Sequence, residues 1–235
     1  MNVDELCGQY REDGVLNVPE LLSNEQIASV RNELDRYTRD VVPGLPPNDV
    51  VMEADGVSVR NCWRMEVHDP WFADLAKNEN VLNLVAALVK GDPVLMAVES
   101  FNKPARVGSA VPPHQDNAYF CMSPPDALTV WIAVDAVTEE NGPVSYLRGS
   151  QRDGARPHVT SGVAGNSMGL AEDVDKGEGW TVLLQPGDAL IHHSNVIHFS
   201  APNTSDQSRR GLLMVFRGAH CEVDSSLRDA YALAK

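Results

Sequence analysis

No run of apolar residues approaches the length of a bilayer span, so no membrane-crossing helix is expected. Positive charge is scarce: 19 lysines and arginines stand against 33 aspartates and glutamates, a net charge of −14. A nucleic-acid binder needs a cationic face to displace counterions from phosphates, and docking on anionic lipid needs the same, so neither partner is expected. The four cysteines, Cys7, Cys62, Cys121 and Cys221, are scattered without a CxxC spacing. That argues against a disulfide framework or a zinc knuckle and for free thiols in a reducing cytosol. Residues 1–14 are polar and acidic and have neither the basic start nor the apolar stretch of a secretory signal, so the expected location is cytoplasmic. There is no internal repeat, no low-complexity tract and no long linker. What is present is an ordinary apolar fraction, 43% of 235 residues, enough for one domain with a sizeable core.

The texture changes along the chain. Ser23-Asn24-Glu25-Gln26 forms a capping box, and Ile27, Val30, Leu34, Tyr37 and Val41 follow at three- and four-residue steps, the stripe of an amphipathic helix. Val15-Leu16-Asn17-Val18, between Gly14 and Pro19, reads as a short strand. Residues 71–90 read as a second helical stretch ending at Gly91. Beyond it come short β-rich runs at 94–102, 128–134, 181–184, 189–192 and 211–216, separated by Gly, Pro, Asn and Asp, the pattern of a sandwich or jelly roll. Residues 152–179, rich in Gly and Asp, read as a long surface loop, and a lid over a site is the usual task of such a loop.

Two segments carry chemistry. In VPPHQDNAYF, an extended strand would turn His114 and Asp116 to one face and Gln115 to the other, setting an imidazole beside a carboxylate. Far along the chain, PGDALIHHSNVIHFSAPNTSDQSRRG gathers His192, His193 and His198, any of which would complete a two-histidine, one-carboxylate facial set suited to iron(II). Zinc would more often take four tetrahedral ligands richer in nitrogen or sulfur.

These segments together resemble the phytanoyl-CoA dioxygenase-like family of iron(II)- and 2-oxoglutarate-dependent oxygenases. HQD at 114–116 and HFSAPNTSDQSRRG at 198–211 match its pattern in order and separation. DGVLNVPELLSNEQIASVRNEL, FNKP, VWIAVDAVTEENGPVSYLRGS and QPGDALIHH resemble its opening and central stretches. The resemblance implies a mainly β fold, a double-stranded β-helix with supporting helices. It further implies one domain over 1–235, with a helix-rich part at 1–92, a strand-rich core at 93–218 and a short C-terminal helix. It implies iron(II) on His114, Asp116 and His198, with 2-oxoglutarate and dioxygen as cosubstrates. Arg209 would take the far carboxylate of 2-oxoglutarate, and Trp131 would line its site. Strand alternation turns only one of Arg209 and Arg210 inward, and Ser200 shares parity with His198. Glu99, Asn117 and Tyr119 flank motif residues and are candidates for the substrate. Arg60 and Arg64 are both candidates for a basic residue reaching the site from the N-terminal half.

Plainer explanations are set beside these. His192 and His193 read as structural, His68, His158 and His220 as surface or satisfied core residues, and Asp188 as a turn former. The family's Pro-Gly-Ser-His is Arg148-Gly149-Ser150-Gln151 here, which clouds the substrate and leaves the reaction type alone. An intact Asp116 favours hydroxylation over halogenation. A CoA thioester would call for a basic patch, of which an acidic chain gives little sign, so the expected substrate is a small polar metabolite. Two other classes stay open: a cupin-like metal enzyme that does without 2-oxoglutarate, and an idle member that only binds a ligand.

Overall fold

A computed structural model of the chain describes residues 3–233. The N-terminal part is helical around one strand. Helix Val3–Asp13 leads into the strand Val15–Val18, and helix Asn24–Arg36 starts at the expected capping box. There Ser23 Oγ accepts from the Gln26 amide at 3.2 Å, and Gln26 Oε1 accepts from the Ser23 amide at 2.9 Å. Ile27, Val30 and Leu34 are its buried stripe. The stretch expected to be one helix is two, Pro70–Leu75 and Glu79–Leu88. Asn78 separates them, because its Oδ1 accepts from the amides of Asn80 and Val81 and so caps a new helix instead of continuing the old one.

Two pairs of strands form small two-stranded sheets, and the others form two antiparallel sheets that face each other. The larger has seven, in the spatial order Val15–Val18, Ala189–His193, Ala127–Ala133, Arg209–Gly218, Pro93–Lys103, Val59–Cys62, Val50–Met52. The smaller has four: Trp180–Thr181, Val144–Leu147, Ile197–Ser200, Val111–His114. This is the expected jelly roll, with helices against the outer face of the larger sheet. Strand Ala127–Ala133 is buried at every residue, as a strand covered on both faces must be. Its Leu128, Val130 and Ile132 pack with Leu34, Phe72 and Leu88 of the helices, while Trp131 and Ala133 face the interior with Tyr146 and Leu190. Burying each large apolar side chain of that outer layer is worth roughly 1.5–3 kcal/mol, which holds the helices to the sheet.

Two β readings change. Residues 181–184 contribute only Trp180–Thr181 and an isolated bridge from Leu184 to Val137. The expected loop at 152–179 contains a hairpin, His158–Val163 with Asn166–Leu170. Val159, Thr160 and Val163 suit extended backbone. Gly165, at φ +75°, makes the turn, and a Cβ there would meet Asn61 Oδ1 at 2.7 Å. Among the described residues no helix is long and apolar enough to cross a membrane, and all four cysteines are free thiols.

Candidate metal centre

His114 and His198 are cross-strand partners on the smaller sheet. Their ring centroids are 4.2 Å apart. Each imidazole is tied at Nδ1 to the backbone two residues before it: His114 donates to Pro112 O at 2.9 Å and His198 to Val196 O at 3.1 Å. A carbonyl only accepts, so the proton sits on Nδ1 and the Nε2 lone pairs are left to face inward, the arrangement a metal-binding imidazole requires. Both point at Asp116 Oδ1, from 3.6 and 3.5 Å. The ligand atoms of His114, Asp116 and His198 lie within 4.8 Å of one another, so the donor set fits one divalent ion of the kind that takes two imidazoles and a carboxylate.

Asp116 reaches this point differently from the sequence reading. The strand ends at His114, and Asp116 is in helical conformation (φ −61°, ψ −30°) at the start of a short helical turn, Asn117–Phe120. The two side chains converge because the chain bends after the strand, not because alternate residues share a face. The other oxygen, Oδ2, is held by Thr129 Oγ1 at 2.8 Å and His192 Nε2 at 3.1 Å. With Asp116 accepting, His192 carries its proton on Nε2, and its Nδ1 takes the Tyr146 hydroxyl at 3.1 Å. His192 therefore belongs to the site and is not merely structural. Its inward parity on Ala189–His193, in register with Thr129, is the signal that marks it. Burial alone would raise the Asp116 carboxyl, yet His198, His114 and His192 around it hold it well below the usual carboxylate range. Burial, with His114 adding to it, pushes His198 well below its ordinary value.

The triad opens on a cavity of about 570 Å³, a volume suited to a small molecule. Arg209 lines the same cavity and is 1% exposed. One of its guanidinium nitrogens, Nη2, donates to Gly142 O at 3.0 Å, while Nε and Nη1 have no partner among the described residues. Burial brings this guanidinium down to about 10. Leaving buried donors unpaired costs about 1–3 kcal/mol each, so the site is arranged for an acceptor that the protein does not supply, such as a carboxylate. Arg210 faces outward onto Asp135 and Asp35, at 2.8 Å from each. Trp131 lines the cavity with the Arg209 guanidinium 5.1 Å from its ring centroid, and Ser200 lines it beside His198. Gly211 makes room for that indole: a Cβ there would meet Trp131 at 2.5 Å.

Of the substrate candidates, Glu99 and Tyr119 line the cavity and Asn117 does not. The Asn117 side chain is committed to the backbone of Met122, accepting from its amide and donating to its carbonyl. Tyr119 spans to the hairpin, its hydroxyl accepting from Met168 N and donating to Met168 O. Burial, with Asp116 and Glu66 nearby, pushes the Glu99 carboxyl up to about 8. Neither Arg60 nor Arg64 lines the cavity. Arg60 is buried against Glu53 and Asn166, and Arg64 pairs with Asp49. His158 is satisfied by Gln115 N and Arg156 O, and His68 and His220 pair with Asp49 and Asp126.

Residues 10–211 match the phytanoyl-CoA dioxygenase family profile. An L-proline trans-4-hydroxylase of Streptomyces griseoviridis is 30% identical, across 88% of this chain and 84% of that protein. A phytanoyl-CoA dioxygenase domain-containing protein 1 homolog of Caenorhabditis elegans is 32% identical over 60% of this chain, which spans about half (52%) of that relative. Among solved structures, EctD from S. alaskensis with 2-oxoglutarate and 5-hydroxyectoine superposes with a TM-score of 0.80 at 16% identity, over 94% of this chain and 77% of that one. The epimerase SnoN, in complex with Fe3+, alpha ketoglutarate and nogalamycin RO, does so at 0.75 and 22%, over 96% and 88%. At those identities the two structures attest the fold.

Proposed function

The chain belongs to the phytanoyl-CoA dioxygenase family, and from that premise we propose that it hydroxylates a C–H bond of a small polar metabolite with iron(II), 2-oxoglutarate and dioxygen. As a member of that family it is an iron- and 2-oxoglutarate-dependent oxygenase. The single observation that carries the reading is Arg209, a buried guanidinium with two unpaired donors in the cavity that also holds the triad.

His114, Asp116 and His198 would hold iron(II), and Arg209, Trp131 and Ser200 would hold 2-oxoglutarate. Together those groups supply the oxidising power to place one oxygen atom of dioxygen in a C–H bond, releasing succinate and carbon dioxide. The protein's share is position. His192 and Thr129 fix Asp116 through Oδ2, so that Oδ1 stays turned to the imidazoles. The carbonyls of Pro112 and Val196 keep both ligand histidines in the tautomer that binds metal. Trp131, Tyr146 and Phe199 give the cavity aromatic walls around the reacting centre. The amino-acid hydroxylase among the relatives adds weight to a small polar substrate.

The test is a metabolite screen with iron(II), reading succinate released from 2-oxoglutarate. The expected result is a compound that stimulates succinate release and is itself converted to an alcohol in equal amount. Conversion of a metabolite with no need for 2-oxoglutarate would contradict the proposal and favour a cupin-like enzyme.

A further inference from the structure

We propose that Glu99 anchors the substrate and that the substrate carries a cationic nitrogen there, as a small ammonium compound or amino acid does. The assignment rests on the reading of this cavity as an oxygenase active site, and it adds the chemical class of the substrate.

The strand register places Glu99. It stands opposite Leu213, which in turn stands opposite Trp131; Thr129, the partner of Asp116, lies one inward-facing step further on, opposite Val215. Arg209 stands opposite Lys103, two inward-facing steps the other way. Inward-facing residues recur about every 6.8 Å along a strand, and strands lie about 4.8 Å apart. Glu99 is therefore level with the middle of the cavity but about 10 Å to the side of Trp131, toward the flank walled by Phe101 and Trp63. It is beside the line from the triad to Arg209, not on it.

Glu99 lines the cavity and has no hydrogen-bond or ion-pair partner among the described residues. The charges that bear on it, Asp116 and Glu66, are both negative. Neighbouring cations are committed elsewhere: Arg60 binds Glu53 and Asn166, and Arg64 binds Asp49. With no partner and only negative charge bearing on it, Glu99 holds its proton up to about 8, so its ionised form there calls for a cation. An ammonium group resolves both problems, because it brings positive charge and N–H donors together. Trp63, Tyr119 and Tyr231 line the same cavity, and aromatic rings favour a cation that lies over them. A phosphate or a second carboxylate at this point would add like charge and keep the Glu99 carboxyl protonated instead of pairing with its ionised form.

The experiment uses the protein loaded with iron(II) and 2-oxoglutarate under argon. Calorimetry compares probes that carry a cationic nitrogen with carbon isosteres that lack it: L-proline with cyclopentanecarboxylate, and choline with 3,3-dimethylbutanol. The wild type should bind the cation of at least one pair about tenfold or more tightly than its isostere. Glu99→Gln should bring that ratio close to one while still taking up 2-oxoglutarate, and Glu99→Asp, which keeps the charge, should retain part of it. A wild type that takes 2-oxoglutarate yet prefers no cation in either pair overturns the assignment, and it does so whether or not Glu99→Gln folds. So does a Glu99→Gln protein that keeps the preference. A wild type that takes no 2-oxoglutarate overturns the oxygenase reading itself, and this assignment with it.

Discussion

Asp116 divides its two oxygens between two tasks, Oδ1 facing the imidazoles of His114 and His198 while Oδ2 accepts from Thr129 and His192. A carboxylate so fixed cannot swing away from a metal, and the partners that orient ligands typically contribute 10–100-fold to affinity. His192→Ala should therefore weaken iron(II) binding by roughly 10–100-fold with all three ligands intact. Thr129→Val should weaken it less, since His192 would still hold Oδ2. Anaerobic iron(II) titration measures both, and parental affinity in His192→Ala would show that the hydrogen bond to Oδ2 does not orient the carboxylate. Sequence reading at this scale found residues through motifs and missed those without one. His114, Asp116, His198 and Arg209 stand in a recognisable order, whereas His192 is one of two adjacent histidines, and only its pairing with Thr129 turns it inward. Asn117 fails in the opposite way: it neighbours a motif residue, but the turn after Asp116 directs its amide to Met122.

At the scale of elements, the hairpin at the cavity mouth hangs on a buried ion pair. Arg60 Nη1 meets Glu53 at 3.0 Å, and Arg60 Nη2 holds Asn166 Oδ1 at 2.9 Å, at the hairpin's tip. Glu53 also accepts from the amide and hydroxyl of Ser109, tying the edge of the large sheet to the loop before His114. Removing one partner of a buried pair strands the other's charge and costs about 3–5 kcal/mol. Glu53→Ala should lower unfolding stability by about that much in denaturant titrations, and adding Arg60→Met should restore part of the loss. A double variant less stable than Glu53→Ala would mean that Arg60 contributes by more than answering Glu53. None of this was legible beforehand, because Asn166 lies 106 residues from Arg60 and joins Glu53 and Arg60 only once the sheets have formed. The helix from Ser23 was legible because its cap and its stripe are local. The break at Asn78 was not, since a caps-or-continues choice at one asparagine leaves the apolar spacing on either side unchanged.

For the whole molecule, two facing sheets bring together one end that fits a metal and another that fits a carboxylate. The jelly roll was legible from its spaced β runs and from the order of its motifs, and Glu99 was a candidate beside them; the cavity's other walls and the lack of a partner for Glu99 were not legible, since they depend on cross-strand register. The central claim is that this cavity takes 2-oxoglutarate between the triad and Arg209. It is tested most directly by anaerobic calorimetry of 2-oxoglutarate binding to the iron(II)-loaded parent, Arg209→Leu and Arg210→Leu. A charge-assisted hydrogen bond is worth roughly 1.5–3 kcal/mol, and 1.4 kcal/mol is a factor of ten in affinity. Arg209→Leu should bind 2-oxoglutarate at least about tenfold more weakly while its iron(II) affinity is unchanged. Arg210→Leu, whose guanidinium faces Asp135 and Asp35, should bind it nearly as the parent does. Parental affinity in Arg209→Leu, with iron(II) bound, would contradict the account.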